Sequence, residues 1–318
     1  MRRTLNAGLL ALLAVLALVP RATGQIVALR PTLEPGRVMT YEASRTFSVV
    51  QHAAGNPTQS VTSSLDLVVQ VTVGSVRADG TVQLGIEFQS IAASVQGSGP
   101  VQKFVHPAAA PAEEQPEIEA AAPSGLEVAG AALAAAKGQL TVDREGRPGD
   151  LNGLDALTAA IEGARKKGDG SDAAALAGLT SAAVYELLTP IFRPAAPEAP
   201  GRQFRDSESW TTERRTGLAS LGDAETKEAW TLSRIGDGTD WKASAKLTVS
   251  VLPPRGIVSA APRFALSSGT GSAELGFDGG SGAVDSFSRV LEVSGRYSLG
   301  ELTMEQTQRS SVVIKRMN

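Results

Sequence analysis

The 318-residue chain contains no cysteine and only two histidines, His52 and His106. Without cysteine there are no disulfides, no thiolate metal sites, no cysteine nucleophile and no lipidated N-terminal cysteine. The two histidines fall in predicted loops, neither beside a nucleophile in sequence, so a histidine-based triad is not expected. The serine-nucleophile signatures, the His-Glu-x-x-His zinc signature and the phosphate-loop signature are all missing. Aromatic residues make up only 4% of the chain, against 42% apolar residues overall. The core is therefore built from small aliphatic side chains with a few large anchors. Lys and Arg are scattered at a formal net charge of −3, with no basic stripe that would mark a nucleic-acid partner. After residue 24 no apolar run approaches the ~20 residues of a membrane-spanning helix. No catalytic residue, no metal ligand and no cofactor is expected.

The N-terminus does carry a targeting pattern. Arg2 and Arg3 form a positive start, Gly8 to Val19 an apolar stretch, and Ala22-Thr23-Gly24 supply small residues before Gln25. This reads as a signal peptide over 1–24, leaving one β-rich domain over 25–318 and an extracytoplasmic location, periplasmic or secreted. Cleavage removes Arg2, Arg3 and Arg21 and takes the formal charge from −3 to −6.

Alternation dominates the rest. Leu65, Leu67, Val69, Val71 and Val73 occupy every second position, and Val82, Leu84, Ile86 and Phe88 do the same beyond Asp79-Gly80. That is a hairpin signal. With Asp79 and Gly80 as a two-residue loop, Val73 is expected opposite Ile86 and Val71 opposite Phe88. A second hairpin spans Lys227 to Val251 around Asp237-Gly238, pairing Arg234 with Trp241, Leu232 with Ala243 and Trp230 with Ala245. Large residues there face small ones.

Earlier, Met39, Tyr41, Ala43, Phe47 and Val49 share one face of a strand over 38–50, interrupted by Arg45. Residues 52–62 read as a polar loop. Further strands are expected at 139–143, 207–215, 272–278, 287–297 and 301–315. In the last, Leu302, Met304, Gln306 and Gln308 alternate, so its middle is expected to be half-exposed. Between the hairpins, 97–124 is rich in Pro, Ala and Glu and is expected to be mobile. A helical insertion covers 125–200. It has an Ala-rich helix near 126–137, a helix capped by Asn152 and carrying Leu154, Leu157 and Ile161, and a helix capped by Ser171 and stopped by Pro190.

Three acids, Asp143, Glu145 and Asp150, cluster at a turn but lack the EF-hand spacing and terminal Glu, so they read as a solvated turn. Gly279 to Asp285 reads as a flexible turn. Trp210, Trp230 and Trp241 read as core anchors rather than a sugar platform. The fold expected is α+β. A predominantly antiparallel sheet, curved or half-barrel-like, unites both hairpins and the C-terminal strands, with two to three helices on one face.

The order of Val71-x-Val-Gly-Ser-Val-Arg-Ala-Asp-Gly-Thr-Val82, then Asp206-Ser-Glu-Ser-Trp210, then Gly269-Thr-Gly-Ser-Ala-Glu-Leu-Gly-Phe-Asp278 resembles a group of exported bacterial proteins of unknown function, the DUF6263 family. The resemblance implies export and a β-rich fold and brings no catalytic residues with it. Three functions compete. The first is a non-enzymatic binding or envelope-associated module with an envelope protein as partner. The second is a carrier or sensor of a hydrophobic ligand, lipid or lipoprotein, in a half-barrel cavity. The third is a hydrolase using two carboxylates. Ligand-binding residues are not identified at this level.

Overall fold

The computed structural model describes residues 26–317 except 98, 108–122, 145, 168–175, 177, 194–201, 218–222, 237, 252–262 and 300–301. The expected signal peptide and most of the Pro/Ala/Glu-rich stretch lie outside the described residues.

Fourteen strands run in chain order: β1 Ile26–Ala28, β2 Val38–Ala53, β3 Gln59–Val76, β4 Val82–Gln96, β5 Gln102–His106, β6 Lys137–Val142, β7 Pro148–Asn152, β8 Gln203–Arg205, β9 Ser209–Gly217, β10 Asp223–Arg234, β11 Asp240–Val251, β12 Arg263–Asp278, β13 Ala283–Leu299 and β14 Leu302–Met317. Twelve of them form one sheet, in the order β7-β6-β4-β3-β2-β14-β13-β12-β11-β10-β9, with β5 also on β4. β1 and β8 pair separately. Three helices, α1 Gly125–Ala135, α2 Asp155–Lys167 and α3 Ser181–Phe192, complete the described elements. Both hairpins and the C-terminal strands thus belong to one antiparallel sheet that does not close into a barrel.

The alternation of each strand decides its faces. Tyr41, Leu67, Val71, Ile86, Trp230, Leu275 and Phe287 all point to one buried side. The opposite side of the central strands is built from Thr40, Glu42, Ser44 and Thr46 of β2, Lys242, Ser244, Lys246 and Thr248 of β11, and Glu305, Thr307 and Arg309 of β14. The helices cover the apolar side. Leu126 and Leu133 of α1, Leu157 and Ile161 of α2, and Val184, Leu187, Leu188 and Phe192 of α3 join the same core as the strands. Phe204 of β8 closes another part, its ring centroid 4.4 Å from that of Trp210.

Several expectations shift. In the first hairpin the observed pairs are Val73 with Leu84, Val71 with Ile86 and Val69 with Phe88. The turn is a three-residue loop: Gly80 N–H donates to Arg77 O, Arg77 N–H donates to Thr81 O, and Gly80 sits at φ 83°. A two-residue type I′ turn needs positive φ at both central positions; at this loop only Gly80 adopts it. A bulge between Val73 and Val76 then restores the common face. The second hairpin keeps the expected register throughout.

β2 and β3 extend into the expected polar loop, because Gln51 still finds a partner in Gln59. Both histidines therefore lie on strands rather than in loops, His52 in β2 and His106 in β5. β5 itself falls in the stretch expected to be mobile; Phe104 pairs with Ala93 and packs over Gly130 of α1. Asn152 ends β7 instead of capping α2, which starts at Asp155. Ser171 lies outside the described residues; Thr180 caps α3, accepting from Ala183 N–H, and Pro190 lies inside that helix. Gln306 and Gln308 are not half-exposed but only 2% and 3% accessible.

Candidate functional site

A flat sheet would separate β2 from β9 by six strand spacings, about 29 Å at ~4.8 Å each. Yet Arg45 of β2 and Arg214 of β9 line the same recess of ≈ 100 Å³. The sheet therefore curls about β12 and β11, where the inward positions are small: Gly271, Ala273, Ala243 and Ala245. The short side chains leave the long residues on either flank free to meet above them.

Arg289 enters from β13, between the buried Phe287 and Leu291. Its Nε lies 3.8 Å from Glu228 Oε1 of β10. Arg214 Nε lies 4.0 Å from the same oxygen. Glu228 is 2% exposed, and its other oxygen accepts from Thr212 Oγ1 and Trp230 Nε1, both at 3.1 Å. Burial, and next the neighbouring Arg214, pull the Arg289 guanidinium below the ordinary arginine range, while Glu228 opposes that shift.

The rest of the lining comes from α3 and β14. Leu187 and the exposed Glu186 look down from α3, and Gln308, Ser310 and Val312 rise from β14. Several buried polar atoms here make no hydrogen bond: Arg45 Nη1, Arg289 Nε and Nη2, and both amide atoms of Gln308. Buried polar groups are satisfied in the great majority of cases, so a cluster of exceptions around one cavity points to an occupant. Among the described residues, Arg45, Arg214 and Arg289 line the recess with Glu186, and with the buried Glu228 beside Arg214 and Arg289 they leave a surplus of one positive charge. Arg215, next to Arg214 on β9, points to the other face of the strand.

The sequence carried a trace of this site. Arg45, Glu228, Arg289, Gln306 and Gln308 each occupy an inward position of an otherwise apolar alternation. Only Arg45 stood out as an interruption, and the two glutamines read as exposure. The other sequence candidates lie elsewhere. Trp210, Trp230 and Trp241 are 6%, 2% and 3% exposed, and the rings of Trp210 and Trp230 stack at 6.1 Å, so they act as core anchors. Asp143 Oδ1 accepts from Arg147 N–H within its turn. His52 Nδ1 lies 3.3 Å from Thr58 Oγ1. Among the described residues no cluster of His, Asp and Glu is arranged to hold a metal ion. Under α3, the packing of Leu188 and Phe192 on Ile86, Leu140 and Leu151 leaves no water-sized space, so a hydrophobic ligand has no room at that place.

No family model matches the chain, and no curated protein matches it. Solved structures do. One, described as showing lipid-protein interactions in lipovitellin, is 10% identical over 89% of this chain, at a TM-score of 0.43; the chain spans a quarter (25%) of its length. An outer membrane channel from Pseudomonas putida F1 is 9% identical over 91% of this chain and 98% of its own, at a TM-score of 0.23. Pseudomonas aeruginosa OccK5 is 8% identical over 88% of this chain and 98% of its own, at 0.21. The Ser, Thr, Lys and Glu residues on the outward side of β2, β11 and β14 are the reverse of the apolar band of a membrane barrel. No helix among the described residues is long and apolar enough to cross a membrane.

Proposed function

We propose that this chain is an exported, non-enzymatic binding module. Its ligand seats in the recess where α3 crosses the curled sheet. The observation that carries this reading is that three residues lining one cavity, Arg45, Arg289 and Gln308, each hold buried polar atoms without a hydrogen-bond partner. A scaffold with no ligand to hold would fill such a place with aliphatic side chains, because desolvating unpaired donors costs about 1–3 kcal/mol each.

The carboxylate on β10 is a counter-ion rather than a base. Glu228 Oε2 is held by Thr212 and Trp230, and Oε1 is flanked by two arginines. A general base must reach the proton it takes. Glu228 is 2% exposed and sits behind the residues that line the recess, which favours binding over hydrolysis. The targeting pattern at residues 2–24 supports export.

Native mass spectrometry of gently purified protein tests this. We expect a mass adduct on the wild-type chain that is lost from Arg289→Met. A wild-type chain without adduct, or an adduct equally retained by Arg289→Met, would remove the recess as the binding site.

A further inference from the structure

We infer that the group held in the recess is an oxyanion of the phosphate class, either free phosphate or the phosphate monoester head of a larger molecule. This rests on the reading of the recess as the ligand site. Three features specify the chemistry. The first is charge: Arg45, Arg214 and Arg289 against Glu186 and the buried Glu228 leave one positive charge in surplus at the cavity, which an anion neutralises and a neutral ligand does not.

The second is donor geometry. The unspent atoms of Arg45 and Arg289 are guanidinium N–H donors, and Gln308 adds an amide. Guanidinium forks match tetrahedral oxyanions through paired hydrogen bonds. Glu228 holds Arg289 at 3.8 Å, beyond hydrogen-bond range, so it fixes the guanidinium's position without consuming its donors.

The third is size. A volume of ≈ 100 Å³ corresponds to about three waters at ~30 Å³ each, the scale of a single phosphate group. Organic ligands with bodies of their own occupy about 300–1,000 Å³, so any such body lies outside. The rim allows that, since Glu186 is exposed.

The test is calorimetric titration of the full chain with three probes: inorganic phosphate, dodecyl phosphate below its micelle concentration, and acetate. We expect phosphate to bind at least tenfold more tightly than acetate, with affinity falling as salt rises. Dodecyl phosphate binding more tightly than phosphate identifies a headgroup; equal affinities identify the free ion. Arg289→Lys should weaken phosphate at least tenfold, since it keeps the charge but loses the fork. Arg45→Lys, which likewise keeps the charge and loses the fork, should weaken it about threefold.

Acetate binding as tightly as phosphate, or unchanged affinity in both variants, would overturn the inference. If no oxyanion binds yet the wild-type chain retains an adduct that Arg289→Met loses, the ligand site stands and its phosphate chemistry falls. If neither is seen, both fall.

Discussion

Replacing Glu228 by Gln tests whether the recess is built around a buried charge. The side chain is 2% exposed. Gln can keep one acceptor toward Thr212 and Trp230, but then points its NH₂ donors at Arg214 and Arg289. At 3.8–4.0 Å each charge pair is worth about 4 kcal/mol at an effective dielectric of about 20. Releasing the buried carboxylate from its desolvation returns several kcal/mol of that. Arg214 is 32% exposed on its side chain and so is partly screened; Arg289, at 16%, is the partner left stranded. The expected net loss is about 3 kcal/mol, at the lower end of the range for breaking a buried pair. With a shift of roughly 2–4 °C per kcal/mol for a large domain, Tm should fall by about 6–12 °C. Urea unfolding of Glu228→Gln, Arg289→Gln and the double variant measures it. The double variant should be more stable than the sum of the singles by at least about 1.5 kcal/mol, because removing both partners leaves no stranded charge. A Glu228→Gln variant within about 0.5 kcal/mol of wild type, or strictly additive singles, would show that the Glu228–Arg289 pairing contributes nothing.

Other residues give sharper local outcomes. Burial raises the Tyr41 hydroxyl to about 12, so the stability it contributes is complete below pH ~10 and is lost as pH climbs from ~10 to 12; an alkaline unfolding curve should lose that component in Tyr41→Phe, and an unchanged curve refutes it. Asp278 accepts from Gly280 N–H, Ser281 N–H and Ser281 Oγ at the β12–β13 turn. The Ser281 side chain holds the Asp278 carboxyl below the usual range, so its contribution is present above pH ~4 and disappears as pH falls through the lowered value. Asp278→Asn should cost about 1 kcal/mol at neutral pH and should flatten the acid limb of thermal stability; an acid limb matching wild type argues against it. A methyl at Gly271 would collide with the Val290 carbonyl, a rigid neighbour, so Gly271→Ala should destabilise by about 2 kcal/mol or more and speed amide exchange in β12 and β13. Wild-type exchange in those strands would mean the sheet tolerates the added methyl.

Much of the architecture was legible along the chain. Alternation over 65–73, 82–88 and 230–249 marked strands and chose their buried side, because side chains in a strand point to opposite faces at every step. The second hairpin's register was readable for the same reason. The first was displaced by two residues, because its turn geometry and the Val73/Val76 bulge depend on backbone dihedrals that the pattern does not encode. The helix cap expected at Asn152 was missed, since any Ser, Thr, Asn or Asp near an apolar run looks equally suitable and packing selects among them.

The sequence by itself determined which residues of each strand share a face, because that parity is a local property; it did not determine that polar members of the inner face, Gln306 and Gln308 among them, are buried. Only the tertiary structure decided that Arg45, Arg289, Gln308, Glu228 and Arg214, spread over β2, β13, β14, β10 and β9, form one cluster. Their meeting depends on the curl of the sheet over the small residues of β11 and β12 and on α3 closing above it. Curl accumulates over many strands, so the site is a long-range property that no stretch of the chain carries alone.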